Sequence, residues 1–568
     1  MALSWVAYTC IAILLASVYV RKRLSKYTSQ IERDAHVEKP GRLRNDDGLS
    51  TSARQLRARL AATVPHIVIT PDNPREFESS MNAYWDEKAC QVQPSCVVRP
   101  RNVWELAQAV KILKQEFDLR TARCRGSNED VEPVFAIRGG GHSPVAGASS
   151  IRGGVLVDLS RFNKVVLSDD KKSVAMGAGC RWIDVYATLE KDGLAVLGGR
   201  NSVVGVAGLT LGGGISFFSP KYGFVCNSVI EYEVVLADGS IVAASEQNNT
   251  ALWRALKGGG NNFGIVTRFT ARTFAGAHVW SGFAYYAPWK AENILSAFQA
   301  VAARLPSGEL DRRFDPHAAG PLTCFSYLQA VGIQAITVHF AQTALELKNE
   351  KWPDSWLTSF FGSRWSGGWF TSSFRNIGRV WSTCKMQTLS SATDELSALD
   401  PRQRRQEFAT TTVKNDMETL RAAHTAYRDA IKTIRKHNIK DMSWTLVFQP
   451  LLPAWVCMGD SDVMGLNDSD DKDALVIVSF TVHWALEKDD QLVLDITRDA
   501  IEQIDAYALE KGTQHRYRYL NYCAKWQKPF EGYGEGNLEF LREVSADVDP
   551  EGLFQRGCTG GFKLGISS

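Results

Sequence analysis

Four clusters of glycine constrain this chain more than any other feature of its sequence. They are Arg138–His142 (RGGGH), Gly177–Gly179 (GAG), Val204–Gly214 (VGVAGLTLGGG) and Gly258–Gly264 (GGGNNFG). Glycine reaches positive φ and lets a ligand approach the main chain closely, so that successive amide N–H groups can converge on an anion. Tight turns would explain any one cluster, but four together favour a bound diphosphate. Neither GxGxxG between a strand and a helix nor GxxxxGK[ST] occurs, so we expect a dinucleotide held by another fold.

Composition narrows the class of protein. The chain has 568 residues, of which 45% are hydrophobic and 22% charged, and this is enough for a large core and two or more domains. A formal net charge of +3 gives no reason to expect a nucleic-acid partner. The 11 cysteines form no CxxC pair, so we expect no metal site. Cys90 and Cys96 could form a disulfide or remain buried thiols.

The first residues predict a membrane-spanning helix. Ala2–Val20 is uncharged and, as a helix, would nearly cross a bilayer core of about 30 Å. The cations that follow it are Arg21, Lys22, Arg23 and Lys26. By the positive-inside rule we expect a single-pass anchor in the endoplasmic reticulum, with the catalytic body in the cytosol. The alternative is a removed signal peptide and a lumenal or secreted body, which sequons at Asn248 and Asn467 favour weakly.

Hydrophobic periodicity predicts an α+β protein. Pro133–Ile137 and Gly154–Leu159 are predicted strands, and Ile183–Gly193 has helical spacing closed by glycine. Ile230–Ser245 is a predicted hairpin around Asp238–Gly239. The strands are too short and too mixed for a doubly wound sheet. The expected divisions are an anchor or signal segment (1–24), a polar linker (25–61), a cofactor domain (62–274), a substrate domain (275–510) and a C-terminal segment (511–568).

The motifs in this order resemble a known family. RGGGHS, VDLSRF, VGVAGLTLGGGISFFSPKYG, VVLADG and LWRALKGGGNNFGIVT are similar to the PCMH-type FAD-binding domain of the vanillyl-alcohol oxidase superfamily. The terminal YLNY, the following YG and LREVSADVDPEGLF resemble the C-terminal segment of berberine bridge enzyme-like oxidases. The resemblance implies a two-subdomain FAD-binding domain and an α+β substrate domain, with the C-terminal segment returning to complete the FAD domain.

The resemblance also implies where FAD is held. His142 corresponds to the histidine that the family joins covalently to the 8α-carbon of the flavin. Asn201 stands where many members carry a cysteine that forms a second bond, so we expect FAD with a single covalent link. The other implied FAD contacts are Arg138, Gly139, Gly140, Gly141, Ser143, Gly205, Val206, Gly208, Leu209, Gly212, Gly213, Gly214, Gly264, Ile265, Val266 and Asn521.

The motif YRYLNY supplies the catalytic candidates. If it is a strand, Tyr519 and Asn521 share one face and Tyr522 faces the other way. The family pattern implies Tyr519 as a base and Asn521 as a flavin contact, and Tyr522 is the second catalytic candidate. An unperturbed tyrosine has a pKa of about 10 and needs a cation beside it to act near neutral pH, but the sequence does not name that cation. His339 and His483 are expected to lie within strands as packed side chains, and a position in the substrate pocket is the alternative for both.

The expected activity is that of an FAD-linked oxidase. It would take a hydride from a small, fairly apolar alcohol or amine of secondary metabolism and pass the electrons to O2, with the protein acting as a monomer. The alternatives are a flavin dehydrogenase with another electron acceptor and a flavin-binding protein without catalysis.

Overall fold

Three β-sheets organise the part of the chain that the computed structural model describes. The described residues are 49–124, 130–145, 147–302, 315–345, 352–353, 356, 374, 377–456, 462–466 and 474–565. Apart from residues 330–332, they belong to a single compact unit. The two smaller sheets are formed by residues before 276 and the large sheet by residues after 277.

The first sheet presents the loop that contains His142. Its strands, in the spatial order β1-β2-β4-β3, are β1 (Val68–Ile69), β2 (Cys96–Val98), β3 (Phe135–Arg138) and β4 (Val155–Asp158). Its helices are α1 (Thr51–Thr63), α2 (Pro74–Met81), α3 (Glu87–Cys90) and α4 (Val103–Cys124). Both β2 and β3 pair with β4 in parallel. The RGGGH loop therefore leaves the carboxyl end of β3, an edge at which parallel sheets commonly place ligands.

The second sheet is antiparallel and carries two of the other glycine clusters at its ends. Its strands, in the order β5-β6-β10-β8-β9 with β7 beside β10, are β5 (Val165–Leu167), β6 (Ser173–Gly177), β7 (Leu194–Val196), β8 (Val229–Val235), β9 (Ile241–Ser245) and β10 (Ile265–Ala275). The helices nearby are α5 (Trp182–Leu189), α6 (Val206–Leu211), α7 (Ser219–Tyr222) and α8 (Thr250–Ala255). The predicted hairpin is confirmed, because β8 pairs with β9 around Gly239, which has a φ of 80°.

The third sheet is large and has two chemically different faces. Its strands, in the order β14-β11-β13-β12-β17-β18-β16-β19 with β15 beside β11, are β11 (His278–Tyr286), β12 (Ala318–Leu328), β13 (Ile333–Gln342), β14 (Trp381–Ser382), β15 (Lys385–Thr388), β16 (Arg405–Lys414), β17 (Ser443–Leu451), β18 (Leu475–Trp484) and β19 (Gln514–His515). The helices of this region are α9 (Ala291–Ala302), α10 (Leu389–Ser397), α11 (Met417–His437), α12 (Pro453–Val456) and α13 (Asp490–Lys511).

Strand alternation separates the two faces of this sheet. In β17, Trp444, Leu446 and Phe448 enter the hydrophobic core shared with α11 and α13. Their neighbours Thr445 and Val447 point to the opposite face, because successive side chains in a strand alternate. Helix α11 is held at its start by Asp416, whose carboxylate accepts a hydrogen bond from the Thr419 amide, and it ends at Asn438 in the left-handed conformation.

The C-terminal segment packs against the first sheet. Helix α14 (Glu535–Val548) lies against α8, and the amide of Thr559 donates to the carbonyl of Phe135 in β3. The amide of Val134 donates to the carbonyl of Gly557. The segment from Gly557 to Thr559 is thereby fixed beside the strand that leads into the RGGGH loop.

Two expectations about secondary structure are corrected. We expected a transmembrane helix as part of the fold, but no helix among the described residues is long and apolar enough to cross a membrane, and Ala2–Val20 lies outside them. YRYLNY is not a strand, because Leu520–Tyr522 forms a 3-10 turn in which the Tyr522 amide donates to the carbonyl of Tyr519. Cys90 and Cys96 are both buried and form no disulfide, so the thiol alternative holds.

Candidate functional site

A cavity of about 530 Å³ lies between the glycine clusters and the face of the third sheet that points away from its helices. Most of the residues predicted to hold the cofactor line it. They are Gly139, Gly140, Gly141, His142, Ser143, Asn201, Gly205, Gly208, Leu209, Gly212, Gly264, Ile265, Val266 and Asn521. Tyr519 and Tyr522 line the same cavity. Parts of the chain more than 300 residues apart in sequence thus meet at one site.

Glycine is required where the loops of the cavity meet. A Cβ at Gly140 would lie 2.4 Å from the Cα of Gly205, which is far inside van der Waals contact, so these two loops touch through bare backbone. A Cβ at Gly212 would lie 2.3 Å from Oδ1 of Asn521. By contrast, a Cβ at Gly208 would meet nothing within 4 Å. The backbone at Gly208 therefore faces open space in the cavity.

Four of the predicted FAD contacts do not line this cavity. Arg138 is only 2% exposed and turns away from it, donating to the Asp158 carboxylate at 2.9 Å and to the Ser80 carbonyl at 2.6 Å. Val206 lies in the hydrophobic core, and Gly213 and Gly214 pack against side chains such as Met464 and Val225. Arg138 and Asp158 instead line a second, smaller pocket behind the RGGGH loop.

His142 is an unpaired, neutral imidazole at the wall of the cavity. Its ring stacks on Trp85 at a centroid distance of 4.3 Å and an interplanar angle of 8°. Nε2 lies 3.4 Å from Oδ2 of Asp400, but the two are not aligned as a hydrogen bond, and Nε2 has no hydrogen-bond partner among the residues that the structure describes. Burial, with a smaller effect from Arg181, lowers the pKa of His142 to about 3. The ring nitrogen lone pair is therefore free at neutral pH.

Asp400 is a second titratable group at this wall, and no motif in the sequence predicts it. Its Oδ2 accepts a hydrogen bond from Nδ2 of Asn201 at 3.2 Å. Burial raises the pKa of Asp400 to about 7, and the hydrogen bond from Asn201 opposes that rise. Asn201, which stands at the position of the family's second covalent residue, here contacts a carboxylate.

The two tyrosines have different surroundings. Tyr519 is 2% exposed, and its hydroxyl accepts from Nδ2 of Asn521 at 3.1 Å. Burial, together with the nearby Tyr522, raises the pKa of Tyr519 far above its ordinary value. The rings of Tyr519 and Tyr522 meet edge to face at 4.7 Å, because the 3-10 turn brings residues three apart to the same side. Asn521 also donates to the carbonyl of Leu209, which connects this turn to α6.

Arg200 supplies the cation that the sequence did not identify. Its Nη2 donates to the hydroxyl of Tyr522 at 3.1 Å and to Oε1 of Gln449 at 2.7 Å. The guanidinium also lines the cavity. Arg200 also opposes the rise in the pKa of the buried Tyr519, but its hydrogen bond is to the hydroxyl of Tyr522 at the cavity wall. The one sequence feature that could have pointed to Arg200 is its position directly before Asn201 in GGRNS.

The sheet side of the cavity is rich in hydroxyl groups. They belong to Ser326, Thr337, Ser443, Thr445, Ser479 and Thr481. Thr445 donates to the Ser326 hydroxyl at 3.0 Å. His483, a reserve candidate, also lines the cavity, and burial lowers its pKa to about 4. His339 is buried between Phe217 and Phe283.

These features suit a bound flavin dinucleotide. The cavity is walled on one side by main chain that carries no side chains, which lets a ligand reach successive N–H groups. On the same wall stands an imidazole whose Nε2 is buried without a hydrogen-bond partner. The opposite side offers hydroxyls and a tyrosine, so a redox cofactor and a small substrate could be held face to face.

Comparison with known proteins gives the family. The sequence profile described as an FAD binding domain matches residues 94–245. The chain is 35% identical over 499 residues to the FAD-dependent monooxygenase tpcD of Cochliobolus heterostrophus, covering 86% of this chain and 88% of that protein. The chain belongs to this family of FAD-linked oxidoreductases. This FAD-linked oxidoreductase is also 32% identical to the FAD-dependent monooxygenase sdcF of Emericella nidulans, over 86% of this chain and 94% of the relative.

Solved structures show the same fold. The FAD-linked oxidoreductase is similar to the berberine bridge enzyme-like 1 protein of Physcomitrella patens, with a TM-score of 0.64, 17% identity and coverage of 91% of this chain and 100% of that one. It is equally similar to 6-hydroxy-D-nicotine oxidase of Arthrobacter nicotinovorans, with a TM-score of 0.63, 18% identity and coverage of 86% and 96%. The fold that the resemblance to berberine bridge enzyme-like FAD-linked oxidases implies is confirmed.

Proposed function

We propose that this FAD-linked oxidoreductase oxidises a small alcohol or amine, with FAD joined to His142 by a single covalent bond and O2 as the final electron acceptor. The observation that carries the proposal is the Arg200–Tyr522 pair, which lies in the same cavity as the unpaired imidazole of His142. A base and a cofactor attachment point are the two parts that such an oxidation requires of the protein.

Each side chain has a separate role in this proposal. Tyr522, as a phenolate that Arg200 stabilises before the transfer, takes the proton from the substrate hydroxyl or amine and becomes a neutral phenol. The hydroxyls of Ser326 and Thr445 orient polar substituents of the substrate against the sheet. The glycine loops and Asn521 would hold FAD, which when bound accepts the hydride and passes electrons to O2.

Anaerobic mixing tests the oxidation itself. The flavin-loaded protein is mixed with vanillyl alcohol, benzyl alcohol and benzylamine, and the loss of flavin absorbance near its long-wavelength band is followed. We expect at least one of them to bleach the flavin, and admitting air to restore the colour with release of hydrogen peroxide. If all three compounds only shift the flavin spectrum and none bleaches it, the proposal is contradicted.

Acid precipitation tests the covalent link. We expect the flavin to stay with the precipitated wild-type protein and to be released from His142→Ala. His66→Ala changes an exposed histidine that is distant in sequence from His142. This variant is the matched control and should keep the flavin. Free flavin from the acid-treated wild type would contradict the covalent link while leaving the oxidation open.

The names of the relatives favour a second candidate, monooxygenation. Both cited fungal relatives are named FAD-dependent monooxygenases. In that case one atom of O2 would enter the product and hydrogen peroxide would fall short of the substrate consumed. Turnover under ¹⁸O2 with mass analysis of the product distinguishes the two, because an oxidase leaves the product unlabelled.

A further inference from the structure

Asp400 is a carboxylate that the proposed oxidation does not use, and it lies beside the residue proposed to hold the cofactor. Its Oδ2 is 3.4 Å from Nε2 of His142. Only 20% of its side-chain surface is accessible, and Asp400 lines the cavity. Its one hydrogen-bond donor among the described residues is the amide of Asn201, at 3.2 Å. A carboxylate is thus held against the imidazole by a neutral partner.

Contacts on both sides hold the chain around Asp400 in place. Before it, the hydroxyl of Ser202 donates to that of Ser397 at 3.0 Å. After it, the amide of Gln403 donates to the carbonyl of Trp85 at 2.9 Å. Trp85 is the ring on which His142 stacks. The same residue therefore supports both the imidazole and the segment that carries Asp400, so their separation is fixed by packing.

Formation of a histidyl flavin has a definite proton balance. Joining an imidazole nitrogen to the 8α-carbon forms one C–N bond and breaks one C–H and one N–H bond. The two electrons pass through the flavin to O2, which takes up both hydrogens as hydrogen peroxide. The imidazole becomes cationic when its lone pair forms the new bond, so a group that accepts the remaining N–H proton lowers the barrier.

We propose that Asp400 is a positioning residue for flavin attachment: it orients the imidazole of His142 with Nε2–H toward its carboxylate and accepts that proton as the bond forms through Nδ1. The inference rests on the proposed covalent link at His142. Nε2 lies 3.4 Å from Oδ2 of Asp400 without a formed hydrogen bond; once Nε2–H donates to that carboxylate, the lone pair belongs to Nδ1. Asn201 keeps the carboxylate available by donating to it.

The electrostatics support this geometry. Burial lowers the pKa of His142 to about 3, so the ring is neutral and nucleophilic before attachment. Burial raises the pKa of Asp400 to about 7, close to that of an ideal proton acceptor at neutral pH. The other charged groups that act on His142 are Arg181 and Arg402, and both lower its pKa further.

The test is the rate of covalent attachment, measured on apoprotein prepared from riboflavin-starved cells. FAD is added, samples are quenched in acid, and flavin fluorescence of the denatured protein band is followed with time. We expect Asp400→Asn to slow attachment about 100-fold while non-covalent FAD binding and the melting temperature stay near the wild type. Asp400→Glu should restore a large part of the rate. Asp394→Asn, at an exposed position on α10, is the matched control and should attach FAD at the wild-type rate.

Two further readouts separate positioning from a structural role. Asn201→Ala should slow attachment at pH 7 and recover at pH 9, because loss of its hydrogen bond lets the pKa of Asp400 rise further. Proteolysis of the wild type and NMR of the flavin peptide should show attachment through Nδ1. Attachment through Nε2, or an Asp400→Asn rate equal to that of the wild type, would overturn the inference. A wild type without covalent flavin would instead refute the proposed link at His142.

Discussion

Arg200 and Tyr522, 322 residues apart in the sequence, are joined by a 3.1 Å hydrogen bond from the guanidinium Nη2 to the phenol oxygen. The same nitrogen donates to Gln449 in the third sheet at 2.7 Å. Three distant parts of the chain thereby fix one hydroxyl at the wall of the cavity. Geometry of this kind is what a proton acceptor needs, since misplacement by about 1 Å can cost 100-fold in rate.

Tyr522 should matter more for flavin reduction than Tyr519. Tyr522→Phe removes the hydroxyl beside Arg200, and we expect the anaerobic reduction rate to fall about 100-fold. Tyr519→Phe removes a buried hydroxyl that contacts Asn521, and we expect a loss below about tenfold. Stopped-flow reduction at saturating substrate measures both. The reverse order would assign the base role to Tyr519.

Flavin reduction should need both the charge and the shape of the Arg200 side chain. Arg200→Met keeps much of the side-chain volume but removes the cation, and we expect reduction to slow by about 100-fold because the phenolate loses its partner. Arg200→Lys keeps a charge with poorer geometry and should recover part of the rate. The same stopped-flow measurement applies, and equal rates for the Met and Lys variants would show that the charge has no role.

The contact between Gly140 and Gly205 should tolerate no side chain. In Gly140→Ala the new methyl would lie 2.4 Å from the Cα of Gly205, so one loop must move. We expect a loss of about 3 kcal/mol in the free energy of unfolding and poor FAD loading. Gly536→Ala, at an exposed helical position with nothing within 4 Å, should be neutral or slightly stabilising. Thermal melts and flavin content check both variants.

Asp86 should make the folded protein less stable as the pH rises. Burial raises its pKa from 3.8 to about 7, and Lys88 only partly opposes this effect. The folded state therefore binds this proton more tightly than the unfolded chain, so stability falls between about pH 4 and pH 7. Asp86→Asn stays neutral, and its melting temperature relative to the wild type should be several degrees higher at pH 8 than at pH 5.

The control for this prediction is Asp547→Asn, at an exposed position on α14, which should show the same difference from the wild type at both pH values. Melting curves of flavin-loaded protein are compared at pH 5 and pH 8. If the melting temperature of Asp86→Asn exceeds that of the wild type by the same amount at both pH values, proton binding by Asp86 does not contribute to the pH dependence of stability.

Local features of the site could be predicted from the sequence. The RGGGH loop, the hairpin at Gly239 and the helix Trp182–Leu189 depend on glycine conformation and short-range periodicity, which neighbouring residues determine. The cavity-lining position of His142 was expected from the family resemblance of RGGGHS instead.

Features that depend on distant contacts could not be predicted. YRYLNY has the aromatic, alternating pattern of a strand, yet packing of Tyr519 against Tyr522 and the hydrogen bonds of Asn521 to α6 stabilise a 3-10 turn. Arg200 and Asp400 carry no motif, and their roles depend on partners more than 180 residues away. Propensity and spacing contain no information about such pairs.

The two faces of the third sheet have a consequence for how this protein can diversify. The face toward α11 and α13 consists of large apolar side chains such as Trp444 and Phe480, on which folding depends. The face toward the cavity carries small hydroxyl side chains such as Thr445 and Ser479. Because neighbouring positions in one strand face opposite ways, substitutions on the cavity face can change the shape of the cavity while the apolar side chains that stabilise the scaffold stay in place.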